Sequence, residues 1–73
     1  MRSNFKFEGM IKTTSETLRT MAIDKICVLG YEESTQDREQ IRAMLAELLR
    51  YYDPSFAESE LQKFDREMEE YRN

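Results

Sequence analysis

From Pro54 onward the chain is rich in charge, yet Ala57, Leu61, Phe64, Met68 and Tyr71 recur at alternating steps of four and three. That spacing puts five apolar side chains in one narrow stripe of a helix, and a stripe of that kind must be covered. The preceding segment offers the cover, because Ile41, Met44, Leu45, Leu48 and Tyr52 form a wider apolar face on a second helix. Only Asp53-Pro54-Ser55 separates the two, and so short a connection forces them antiparallel. The spacing therefore predicts a helical hairpin of residues 35–52 and 55–71. Pro54 marks the break, since it donates no backbone hydrogen bond and disfavours helical geometry at Asp53. Ser55 with Glu58 reads as a capping box, and Asp53 with Pro54 as first helical residue reads as an equally good start.

Upstream, Thr13 followed by Glu16 matches a capping box, which predicts a first helix over residues 14–29. Leu18, Met21, Ala22, Ile26 and Leu29 would face inward, with Gly30 as a left-handed cap and Tyr31 packed back on Ile26. Ile23 and Cys27 lie on the opposite side, so the second half of this helix is apolar nearly all round and needs cover on two sides. The run Ile26-Cys27-Val28-Leu29 also fits a buried β-strand, because a short apolar run carries no decisive period. Residues 1–12 read as an arm or a short strand, since Phe5 and Phe7 alternate with Asn4, Lys6 and Glu8 before Gly9 breaks the pattern. Ser34 or Thr35 would cap the second helix, and Glu39 with Arg42 and Glu47 with Arg50 would add surface pairs. The expected fold is all-α: one small three-helix domain over residues 1–73, an antiparallel hairpin preceded by a helix and a short arm or strand.

A chain of 73 residues sits where a single domain buries only about 60% of its unfolded surface, so a second copy or a partner should share its apolar residues. Phe5, Phe7, Ile23, Cys27 and Tyr31 are the expected oligomer surface. Charged residues make up 36% of the chain and the formal net charge is -4. Residues 1–30 hold five bases and three acids, whereas residues 31–73 hold six bases and twelve acids. That balance argues against a phosphate-neutralising nucleic-acid binder and fits a protein partner of basic character. The acidic outer face of the last helix, at Glu60, Glu67 and Glu70, with Tyr51 and Tyr71 as amphipathic anchors, is the expected partner-binding surface.

Catalysis is not expected, because general acid–base work needs titratable groups driven apart in pKa or a nucleophile with a base beside it. The chain has no histidine and a single cysteine, Cys27, which its apolar neighbours should bury as an unreactive thiol. The same counts remove the usual zinc and haem arrangements, and neither metal nor cofactor is expected. The carboxylates Asp65, Glu67, Glu69 and Glu70 fall on different sides of the last helix. Gly9 and Gly30 stand too far apart for a phosphate loop. Neither a signal peptide nor a membrane span is apparent, so a reducing, cytoplasmic location is expected.

A short strand at residues 4–8, then a helix, a turn and a second helix, resembles in order the ribbon-helix-helix class of dimeric repressors and antitoxins, over residues 4–52. The resemblance implies paired strands in the major groove and a phosphate at the N-terminus of the second helix. Groove-facing Asn4, Lys6 and Glu8 would then carry no net charge, and Glu32, Glu33 and Asp37 would crowd the phosphate-binding end. The primary expectation is accordingly a non-catalytic interaction module, a regulator, inhibitor or accessory subunit, working as a homodimer or hetero-complex.

Overall fold

The computed structural model describes the backbone of residues 2–72 and the side chains of residues 7–72. Three helices follow one another: α1, Arg2–Leu29; α2, Thr35–Leu49; and α3, Pro54–Glu70. At about 1.5 Å per residue, the 28 residues of α1 account for the longest dimension of the 42 × 18 × 17 Å molecule. The hairpin is present: α2 runs back along α1, and α3 returns parallel to α1. The core lies where the three meet, built from Ile11, Leu18, Ala22 and Ile26 of α1, Ile41, Leu45 and Leu49 of α2, and Phe64 and Met68 of α3.

The N-terminal segment departs from expectation, for residues 2–12 are helical and continuous with the rest of α1. The Thr13–Glu16 capping box is not used. Instead the threonine hydroxyls bond back to the preceding turn: Thr13 Oγ1 donates to the Gly9 carbonyl at 3.1 Å, Thr14 Oγ1 to Met10 at 3.0 Å and Thr17 Oγ1 to Thr13 at 3.1 Å. Hydroxyls satisfied in that way sit within a helix rather than ending it. The side chains of Asn4, Phe5 and Lys6 lie outside the described residues. The run Ile26–Leu29 is helical as well, so the strand reading of it is not adopted. With no strand among the described residues, the order of elements on which the ribbon-helix-helix resemblance rests is absent.

Gly30 closes α1 with φ of +98°, its N–H donating to the Ile26 carbonyl at 2.8 Å. The turn beyond is locked by side chains rather than by a cap. Ser34 is fully buried; its Oγ donates to the Tyr31 carbonyl at 3.0 Å and accepts from Arg38 Nε at 3.0 Å. Arg38 also donates to the Tyr31 carbonyl at 2.7 Å and lays its guanidinium 4.0 Å from the Tyr31 ring centroid. Between α2 and α3 the Asp53 start prevails over the Ser55 box: Pro54 is the first helical residue, and Asp53 Oδ2 accepts the Phe56 N–H at 3.1 Å.

Helix register is fixed by polar contacts. Ser15 of α1 and Glu60 of α3 are both buried, and Ser15 Oγ donates to Glu60 Oε1 at 2.9 Å. Arg19 completes the link, donating to Ser15 Oγ at 3.0 Å and lying 3.6 Å from Glu60 and 2.7 Å from Glu67. Lys63 stands 3.3 Å from the other Glu60 oxygen. Arg42 pairs across to Asp65 of α3 through two hydrogen bonds, at 2.7 and 2.8 Å, rather than with Glu39 on its own helix. Glu47 and Arg50 do pair, at 3.3 Å.

Several apolar residues expected inside lie outside: Met21, Leu29, Met44 and Leu48 are exposed, as are Cys27 and Val28. With only three helices, each helix has two neighbours, and the inward arc is too narrow to take every apolar position.

Two glycine substitutions test this backbone. A Cβ on Gly9 meets nothing within 4 Å, and Gly9 lies inside a helix, so Gly9→Ala should raise stability by about 0.5–1 kcal/mol. Gly30→Ala should lower it by about 1 kcal/mol or more, because an L side chain resists the left-handed backbone. Chemical denaturation of the two variants checks both signs, and an arm or strand at Gly9 would forfeit the first.

Candidate interaction surfaces

The residues singled out in the sequence are scattered rather than gathered. Glu60, expected on the outer acidic face, is only 2% exposed and is consumed by Ser15, Arg19 and Lys63. The reason is its position: it lies three residues after Ala57 and four before Phe64, within the inward stripe itself. Glu67 is half-buried against Arg19, whereas Glu70 is exposed and borders a shallow groove with Lys63 and Arg66. Tyr71 caps the end of α3 and is exposed. The acidic face of α3 is thus in large part a set of internal ion pairs.

The proposed oligomer surface does not form one patch. Phe7 and Cys27 stand about 30 Å apart along α1. Ile23 and Tyr31 are half-buried against the core, and Tyr31 is covered in addition by Arg38. The side chain of Phe5 lies outside the described residues.

A different surface emerges along the seam of α1 and α2. Lys25 of α1 and Asp37 of α2 meet at 3.6 Å, and Phe7 and Tyr52 pack with ring centroids 5.7 Å apart, which fixes the antiparallel register of the two helices. Met21 and Val28 share the helix face of Lys25, and Met10 lies three turns before Met21; on α2, Met44 and Leu48 share the face of Asp37, and Tyr51 follows in the turn just beyond the helix. Both rows therefore border the α1/α2 seam, on the side away from α3, which α2 reaches through Arg42. All six are exposed, from 39% at Leu48 to 85% at Tyr51. Thr14 and Thr17 lie between the α1 members, and the charge at the seam is cancelled by Lys25 and Asp37.

At one end of this strip, Phe7, Glu8, Tyr51, Tyr52 and Asp53 border an open hollow of about 420 Å³. Tyr52 stands between Phe7 and Phe56, 5.0 Å from the latter's ring centroid. Its phenol is raised above the ordinary 10.0, first by desolvation, then by the charges of Glu8 and Asp53. Both carboxylates oppose the phenolate.

No family model, curated protein or solved structure matches this chain. The geometry alone carries the functional argument. Among the described residues no group of three or more His, Cys, Asp or Glu side chains is placed to hold a metal ion, and no helix is long and apolar enough to cross a membrane. Of the surface residues named from sequence, Tyr51 belongs to the strip and the hollow, and Phe7 to the hollow. Met10, Met21, Val28, Met44 and Leu48 were missed or assigned inward, although the three-turn step from Met10 to Met21 is a signal the sequence contains.

The negative field in the hollow has a direct readout. In a pH titration of ring resonances, Tyr52 should ionise above 10.0, and Glu8→Gln should lower its midpoint, since one of the charges opposing the phenolate is gone. A midpoint unmoved by the substitution would place Glu8 away from the ring.

Proposed function

We propose that the protein is a small acidic, non-catalytic interaction module, a regulator or accessory subunit that occupies a partner protein's surface through the α1/α2 strip. The observation that carries this reading is the exposed double row of Met10, Met21 and Val28 with Met44, Leu48 and Tyr51. Contiguous apolar rows with polar surroundings mark contact surfaces on soluble proteins, and methionine adapts its shape to what it meets. The rows run along two antiparallel helices, a geometry that receives an apolar helix face.

The strip replaces the acidic face of α3 as the leading contact surface, because the ion pairs of Glu60 and Glu67 are already made within the chain.

The test is Met44→Glu combined with Leu48→Glu. Both sites are exposed, so stability should change by only about 0.5 kcal/mol per site, while affinity for a partner retained by the wild-type protein should fall by at least about tenfold. The measurement is titration calorimetry with the purified partner, beside sedimentation of each protein alone. Unchanged affinity together with unchanged self-association would refute the strip as the contact surface.

A further inference from the structure

We infer that the hollow bordered by Phe7, Glu8, Tyr51, Tyr52 and Asp53 is a site for an alkylammonium or guanidinium group, a lysine or arginine side chain presented by a protein partner. The inference rests on the interaction reading above and supplies the chemistry of the partner at one end of the strip. Among the residues whose side chains are described, the five that border it are all aromatic or acidic. The volume, about 420 Å³, lies within the range of ~300–1,000 Å³ typical of sites that take small organic groups.

Three rings and two carboxylates around one opening are the combination that recognises an organic cation: aromatic faces attract it through their quadrupoles, and carboxylates supply the net charge. Tyr52 packs against the core, whereas Phe7 is 50% exposed and Tyr51 85%, so two of the three rings are open to a ligand. Neither Glu8 nor Asp53 makes an ion pair with another described side chain.

The chain itself demonstrates the chemistry beside the opening. Arg50 lies 5.2 Å from the Tyr51 ring centroid, and Lys12 5.9 Å from that of Phe56. Asp53 is held in place, because one of its oxygens caps α3 through the Phe56 N–H. The Tyr52 phenol is raised first by desolvation and only then by the charges of Glu8 and Asp53. A partner helix lying on the strip with a basic residue at its end would place that residue here.

The experiment is a titration of the full chain, followed by the ring resonances of Phe7, Tyr51 and Tyr52, with N-acetyl-lysine methylamide and its arginine counterpart. The neutral isostere N-acetyl-norleucine methylamide is the control. Both cations should give saturable shifts with dissociation constants in the millimolar range, on the order of 1–10 mM, weakening as salt is added. The norleucine control should give none. Glu8→Gln with Asp53→Asn should weaken binding at least about fivefold, and because asparagine caps a helix as well as aspartate, the fold is retained. Tyr51→Ala should weaken it about two- to fivefold.

Equal shifts with norleucine, no saturation by about 50 mM, or undiminished binding in the Glu8→Gln, Asp53→Asn variant would each overturn the assignment. These results are independent of Met44 and Leu48. A failed cation site with an intact strip would therefore leave the interaction reading in place, and a failed strip would not remove the site.

Discussion

A carboxylate buried between two helices, Glu60, fixes how the three helices sit on one another. Placing a charge out of water costs several kcal/mol unless its oxygens are satisfied, and here they are: Ser15 donates to one oxygen, Lys63 stands beside the other, and Arg19 joins the group while holding Glu67. Apolar contacts are non-directional and discriminate less sharply between registers than a hydrogen bond does. The Ser15–Glu60 hydrogen bond would not survive a slide of one turn. The network thus selects one register of α3 on α1, as buried polar groups do in coiled coils, and the two hydrogen bonds from Arg42 to Asp65 do the same for α3 on α2.

The surface follows from that register. Because α3 is held against one side of the α1/α2 pair, the opposite side of the seam has no third helix. Met10, Met21, Met44 and Leu48 remain in water for that reason. A fourth helix would have covered them in a conventional bundle. The described residues form three helices only, so that side of the seam stays uncovered. The same geometry brings the start of α1 to the α2–α3 turn, which is why Phe7 and Glu8, distant in sequence from Tyr51 and Asp53, share one hollow.

The hairpin was legible in the sequence because its signals are local: the four-and-three stripe of α3, the proline at its start and the glycine after α1 each act within a turn or two. The first twelve residues misled because alternating Phe5 and Phe7 imitate a strand, and because Thr13, which reads as a cap, is equally satisfied by back-bonding inside a helix, as are Thr14 and Thr17. Glu60 was assigned to the surface by residue type, although its spacing from Ala57 and Phe64 put it inward. Its partner Ser15 is 45 residues away, and only tertiary contact reveals the pairing. The division of apolar residues between core and strip was hidden for a related reason. Met21 and Ala22, or Met44 and Leu45, are neighbours in sequence, and which faces inward depends on where the third helix docks.

The most direct test of the register is a double-mutant cycle at Ser15 and Glu60, using Ser15→Ala, Glu60→Leu and the pair, with stability measured by urea denaturation. A hydrogen bond to a buried carboxylate that sets helix register should give a coupling energy of about 1–3 kcal/mol. Additivity of the two substitutions within about 0.5 kcal/mol would contradict it, and with it the account of why the α1/α2 seam is left open.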